Sequence, residues 1–356
     1  MASIKSKYVF FTLSTLGLIA QWGAMVANGT LLGLMVTAWE GRFPDGVPMR
    51  TTWSGVWLID YVLGLLVAFF YPLLNVINLD SPAPVLLMTD LLLSLAVFSL
   101  IAIVQGQRGG GTGLLKYPAV WQLAWQFFGA ATVMPIYLHT YIKTRALGGS
   151  SLPGDQAQKL PFMAIWAVLT NIPLLLPGVM GASPFVIQLS IVLWFFLPLT
   201  TGFFQNGIGI LSRYYHPRNT NNSIAVSYGI VGSASAIFHV AVGLWAYNSP
   251  QTNWVGIYWP AYSAVRPGPN IILQGAMLFC QYGHISLRTS VTALAVYTVG
   301  RDIFAAESSS EAARACRLAV SLIAIMGVFG PGAGAAWFLY KLETEASKPA
   351  KTEKHL

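Results

Sequence analysis

One stretch limits what this chain can be: Trp53 to Leu74, WSGVWLIDYVLGLLVAFFYPLL, 22 residues with a single charged side chain, Asp60. As a helix it would be about 33 Å long, enough to cross the hydrocarbon core of a bilayer. A carboxyl group inside such a segment is expensive unless it faces a protein interior or a cavity. The stretch therefore predicts a membrane helix turned toward a buried polar site. Comparable apolar runs recur from one end of the 356 residues to the other, so the whole chain belongs to the membrane rather than one anchor.

Composition agrees. Only 9% of residues are charged, against about a quarter in a soluble domain, while 55% are apolar and mean hydropathy is +0.61. There is too little charge to coat a water-exposed surface. The formal net charge of +8 comes from 20 Lys+Arg against 12 Asp+Glu spread over loops and tail, with no basic helix or aromatic-spaced basic patch. No nucleic-acid partner is expected, and anionic lipid headgroups account for the excess. Cys280 and Cys316 permit at most one disulfide and lack metal-ligand spacing, so both are expected to be packing residues.

Nine spans are expected, with seven as the lower bound if the first or a proline-broken one is misassigned. They cover 8–27, 53–74, 85–104, 117–142, 162–176, 185–211, 224–247, 271–299 and 318–340. The expected fold is an all-α polytopic transmembrane bundle: one helical domain over 1–342, then a polar, disordered tail over 343–356. The loop Asn248–Pro269 has WVGIYWPAY at its centre, too aromatic for a free connection in water. It is expected to lie as a cover at a membrane face, against the helix ends. The glycine-rich QGQRGGGTG is a turn and not a phosphate loop, because it has no GK[ST] ending and no strand–helix setting.

Several polar groups fall at membrane depth. Gln122 and Gln126 share one helix face and Trp121 and Trp125 its neighbour, while Gln281, His284 and Arg288 form a stripe at spacings of three and four. Asp60 is the leading candidate acid, since a carboxyl group removed from water keeps its proton and suits general-acid work. The structural alternative is a proton donor to a neighbouring helix carbonyl. Asp90, about one and a half turns into its span, and Glu40, in AWEG at a membrane boundary, are the other catalytic candidates. Trp57, Trp125, Gln126, Asn171, His239 and His284 are candidates to line a substrate. No HExxH, HxxxH pair, carboxylate cluster, aspartate-rich diphosphate motif or GxSxG is present, so no metal and no cofactor is expected. The chemistry left is protonation of an apolar substrate in a dry pocket where aromatic faces stabilise a developing carbocation.

With acids set among aromatics in TWSGVWLIDY and AWE, and with this length, helix number and lack of metal motifs, the chain resembles a known family. It is similar to the integral-membrane terpene cyclases of fungal meroterpenoid biosynthesis, of the longer ascofuranone and ascochlorin type. The resemblance implies a wholly helical enzyme of the endoplasmic reticulum membrane. It implies cyclisation of an epoxidised farnesyl chain on an aromatic or polyketide head, by epoxide protonation without metal or loss of diphosphate. Its partners would be an apolar prenylated small molecule and membrane lipids. Shorter members use a Glu and an Asp from separate helices, a pair not matched here residue by residue. Two other classes stay open: a proton-coupled transporter or lipid-handling protein, with Asp60, Asp90 and the Gln/His/Arg stripe along a path, and a structural membrane protein. A closed aromatic pocket would favour the enzyme, and a path open to both faces the transporter.

Overall fold

The computed structural model describes residues 6–108, 113–146, 152–211, 220–304 and 308–346. Among these the regular elements are helices, and the one β feature is an isolated bridge between Arg42 and Pro48. In chain order the helices are α1 Ser6–Ala27, α2 Thr30–Glu40, α3 Trp57–Leu74, α4 Ala83–Gln107, α5 Pro118–Phe128, α6 Ala130–Ala146, α7 Gly154–Val179, α8 Pro184–Gly209, α9 Thr220–Asn248, α10 Trp254–Tyr258, α11 Ile271–Phe304 and α12 Ser309–Ala346.

Seven of them are long and apolar enough to cross a membrane: α1, α3, α4, α7, α8, α9 and α12. The fold is an all-α polytopic bundle. Two of the nine expected spans fall short of that length or apolarity. Segment 117–142 is cut at Gly129 (φ +88°) into α5 and α6, of 11 and 17 residues. That conformation and the space both demand glycine, because a Cβ there would sit 2.3 Å from Gln21 Oε1 and 2.7 Å from Phe279 Cζ. Helix α11 has 34 residues, but Gln274, Gln281, His284 and Arg288 dilute its apolarity. Both segments turn polar groups inward: Gln122, Gln281 and His284 are buried.

The centre of the bundle is α4, apolar all round and buried on nearly every face. Helices α3, α5, α7, α9, α11 and α12 pack around it. Large apolar side chains such as Phe203, Ile237, Tyr247 and Val296 point outward, as lipid contact requires. The stretch after α1 continues as a separate helix, α2. At the other end α12 runs on to Ala346, past the point where the tail was expected to begin, and Glu343 is buried against Arg108. The rest of that tail, 347–356, lies outside the described residues. Of the cysteines expected to pack, Cys280 is buried but Cys316 is exposed, because it falls on an outward face of α12.

Candidate active site

Two adjoining chambers lie between the helices. The first spans about 930 Å³ of empty space, open solvent at its mouth included, and is walled by α1, α2, α3, α4, α5, α6, α8 and α11. Seven of its wall residues are aromatic: Trp22, Phe69, Phe70, Trp125, Phe127, Trp194 and Phe279. Several are locked edge to face, with Trp22–Phe279 at 5.7 Å and Phe70–Trp194 at 5.2 Å between centroids. Its polar wall groups are amides: Gln21, whose Nε2 donates to the Phe279 carbonyl (3.0 Å), and Gln126. The second chamber, about 500 Å³ by the same measure, shares Leu92, Leu95, Trp125, Gln126 and Trp194 with the first. Ser99, Gln122, Trp166, Thr170, Asn171 and Thr201 make it more polar. No ionisable acid or base lines either one.

Just behind the first chamber's wall stands a buried polar cluster. Leu91 and Gly283 face the chamber, and their chain neighbours Asp90 and His284 are both fully buried. Oδ2 of Asp90 accepts from the Tyr258 hydroxyl (2.8 Å) and lies 2.8 Å from His239 Nδ1 and 3.1 Å from His284 Nε2. The two imidazoles are nearly parallel, 4° apart in plane, and Tyr258 leans over His284 at 4.7 Å between centroids. Asp90 Oδ1 and His239 Nε2 are buried without a hydrogen-bond partner.

Four separate elements build this cluster. Asp90 comes from α4, His239 from α9, His284 from α11 and Tyr258 from the short α10. Gln281, one turn before His284, donates to the carbonyls of Gly256 and Ile257 (both 3.1 Å) and so pins α10 to α11. Asn253 caps α10 by accepting from Gly256 N at 2.7 Å. His239 finds room because α12 breaks at Gly330 (φ +86°) before Pro331. A Cβ at Gly330 would stand 2.7 Å from His239 Cγ. Helix α10 lies outside the seven spans, within the segment expected to cover the helix ends. There burial first, then the Asp90 carboxylate, push the Tyr258 hydroxyl far above its ordinary range, so it stays a donor.

The other candidates are placed differently. Asp60 is buried in the first turn of α3. Its Oδ1 accepts from the backbone N–H of Trp53 (3.1 Å) and Ser54 (2.6 Å) and from the Ser54 hydroxyl (2.8 Å), and its Oδ2 accepts from Gly55 N (3.1 Å). That carboxyl group closes the loop before its own helix. Glu40 is exposed at the end of α2, and Trp57 is 67% exposed and stacked on Tyr61. Neither Asp60, Glu40 nor Trp57 lines a chamber; Trp125, Gln126 and Asn171 do.

Asp90, His239 and His284 each offer a ligating atom, all within 4.8 Å of one another, the reach of a divalent ion. No spacing motif could announce this trio, since its members lie 149 and 194 residues from Asp90. Tyr258 was missed by sequence reasoning altogether. The signal available was one tyrosine among the aromatics of WVGIYWPAY, which does not say which ring turns inward.

A family model for the CtvD domain matches residues 6–343. Among curated relatives, terpene cyclase DEP1 of Fusarium langsethiae is 28% identical over 237 residues, 64% of this chain and 64% of that protein. The match thus spans slightly less than two thirds of that relative's length. Terpene cyclase DEP1 of Alternaria brassicicola is 27% identical over 270 residues, 72% of each chain. Terpene cyclase ctvD of Aspergillus terreus is 24% identical over 352 residues, 94% of this chain and 98% of the relative. No solved structure matches the chain.

Proposed function

Since the chain belongs to the CtvD-domain family, we propose that it is a membrane-integrated terpene cyclase of the endoplasmic reticulum. It cyclises an epoxidised prenyl chain by general-acid protonation. The observation that carries this reading is the juxtaposition of an uncharged, aromatic-walled chamber with the Asp90 cluster, separated by Leu91 and Gly283. The relatives named terpene cyclases support it independently.

In this reading the apolar chain folds against the seven rings of the first chamber. Once the wall at Leu91 and Gly283 gives way to the substrate, the Asp90–His239–His284 cluster behind it delivers a proton to the epoxide oxygen, and the adjacent C–O bond opens. An alkene of the same chain supplies the electron pair that closes a ring, leaving a carbocation one position further on. Ring faces stabilise that charge where water is excluded. Loss of a neighbouring proton ends the sequence, so the product is an isomer of the substrate. Asp90 positions both imidazoles, Tyr258 fixes the carboxylate, and the unpartnered His239 Nε2 is the atom free to exchange a proton.

The test is to supply microsomes containing the protein with an epoxyfarnesyl-bearing arene and read products by mass and retention. A product of unchanged mass and new retention is expected. Recovery of the epoxide alone, or a diol heavier by one water, would overturn the reading.

A further inference from the structure

The two chambers differ in what their walls offer, and one layer of side chains stands between them. Leu92 and Leu95 from α4, Trp125 and Gln126 from α5 and Trp194 from α8 line both cavities, so these five form the partition. Phe70 holds Trp194 in it, edge to face at 5.2 Å between centroids. On the second chamber's side, Ser99 Oγ, the Gln122 amide, Asn171 Oδ1 and Thr201 Oγ1 belong to wall residues, keep accessible surface and bond to none of the described residues. Their neighbours are taken: the Thr170 hydroxyl and Asn171 Nδ2 donate to carbonyls of α7. Reachable donors and acceptors spread around one cavity are answered by water, which gives and accepts at once. A cavity of about 500 Å³, open space included, has room for several molecules at about 30 Å³ each. The first chamber offers water little. Its wall side chains are apolar or aromatic apart from Gln126, in the partition itself, and Gln21, whose Nε2 is given to the Phe279 carbonyl and whose Oε1 is sealed. Phe127, the one exposed residue of that wall, adds apolar surface at its mouth.

We propose that this partition is a water barrier: the second chamber holds water, and Trp194 and Leu95 keep it from the cation formed in the first. This rests on the cyclase reading and names what decides its product. A cation on the folded chain has two fates. Loss of a neighbouring proton gives an alkene, an isomer of the substrate. Capture by water forms a C–O bond from an oxygen lone pair, and the oxonium so formed sheds one proton, leaving a cyclised alcohol heavier by one water. Excluding water from the reacting centre selects the first fate. Trp194 and Leu95 thus determine the product and take no part in the proton transfer that starts the reaction.

The experiment gives the epoxyfarnesyl-bearing arene to microsomes containing the full chain, in water labelled with heavy oxygen. Products are sorted by mass, label and alkenes remaining, since ring closure consumes an alkene that a simple diol keeps. Wild type should give unlabelled isomer, and so should Leu66→Ala, a cut in the first chamber's wall away from the partition. Trp194→Ala and the smaller cut Leu95→Ala should raise the share of labelled cyclised alcohol roughly tenfold. Unlabelled isomer alone from both partition variants would overturn the proposal, as would labelled alcohol from wild type or Leu66→Ala. Leu95→Ala decides if Trp194→Ala fails to fold. A second reading needs no turnover. A farnesyl chain ending in a solvatochromic naphthalene, bound to the same four proteins in nanodiscs, should emit at longer wavelength in the two partition variants alone. Equal emission from all four would overturn the proposal. Should the emission shift as expected while none of the four cyclises the epoxide, the barrier stands and the cyclase reading falls.

Discussion

Asp60 and Asp90 are buried carboxyl groups near the starts of adjacent membrane helices, and they are satisfied in opposite ways. Each partner of Asp60 lies five to seven residues away, and three of its four hydrogen bonds come from backbone N–H groups. The side-chain partners of Asp90 lie 149, 168 and 194 residues away on three other elements. Backbone amides cannot take up or release a proton in the working range, so a carboxylate they surround fixes the shape of a loop. Imidazoles and a phenol can share a proton with the group they hold. The same residue type thus closes a local loop in one helix and ties together three distant elements in the next. The loop at Asp60 is clamped a second time by Gln188, which accepts from Arg50 N and donates to the Pro48 carbonyl.

The largest expected effect breaks the comparison directly. Asp90→Asn should retain membrane insertion and lose turnover by about 10²–10⁴-fold, the usual contribution of a general acid–base group. Asp60→Asn should do the reverse. Its amide places a donor against the Gly55 N–H, so the unfolding temperature falls while turnover per folded molecule stays close to wild type. Product formed per unit of correctly inserted protein, measured beside a thermal melt in detergent, separates the two. A collapse of turnover in folded Asp60→Asn would return the acid's role to Asp60.

A smaller effect comes from the backbone that lets His239 reach Asp90. Gly330→Ala demands a side chain at φ +86° and puts its Cβ against the imidazole. Overpacking of that kind costs about 1–3 kcal/mol, and here it also displaces a member of the cluster. Turnover should fall along with stability. Gly229→Ala, on the same helix as His239 but with nothing within 4 Å, is the control. It should hold or gain stability by up to about 1 kcal/mol through helix propensity. Equal melting temperatures and equal turnover for the two variants would show that the break in α12 has no bearing on the site.

These variants also show what the sequence could convey. Apolar length announces a span: Trp57–Leu74 and Ala83–Gln107 stand where continuous hydrophobic runs placed them. The burial of Asp60 and Asp90 follows from the same runs, because neither acid can face lipid. What separates the two acids was out of reach. Asp60 is answered by WSG five to seven residues before it, in a loop whose backbone direction no periodicity describes. Asp90 is answered by His239 and His284, both named as candidates singly, but no spacing joins residues brought together only by helix packing. The span expected over 117–142 falls short for a related reason. Gly129 reads as an ordinary helix glycine until Gln21 and Phe279 are seen to occupy the space of its missing side chain. Trp57 read as a substrate contact because it neighbours Asp60, yet α3 turns it to the outer surface.

The smallest expected effect is no change at all, and it tests what kind of chemistry the Asp90 side of the comparison performs. Asp90, His239 and His284 are close enough to hold a divalent ion. Their geometry is that of a hydrogen-bonded proton site, because His239 Nδ1, His284 Nε2 and the Tyr258 hydroxyl all converge on one oxygen, Asp90 Oδ2. A metal-bound imidazole ordinarily donates its other ring N–H to a carbonyl, carboxylate or water, whereas His239 Nε2 has no partner. Turnover of the epoxide should therefore persist in excess EDTA, and dialysed protein should carry far less than one divalent ion per chain by elemental analysis. Activity lost on chelation and restored by a divalent cation would make the trio a ligand set. Asp90→Asn would then act by releasing a metal, which the same elemental analysis of the variant would detect before any assay of turnover.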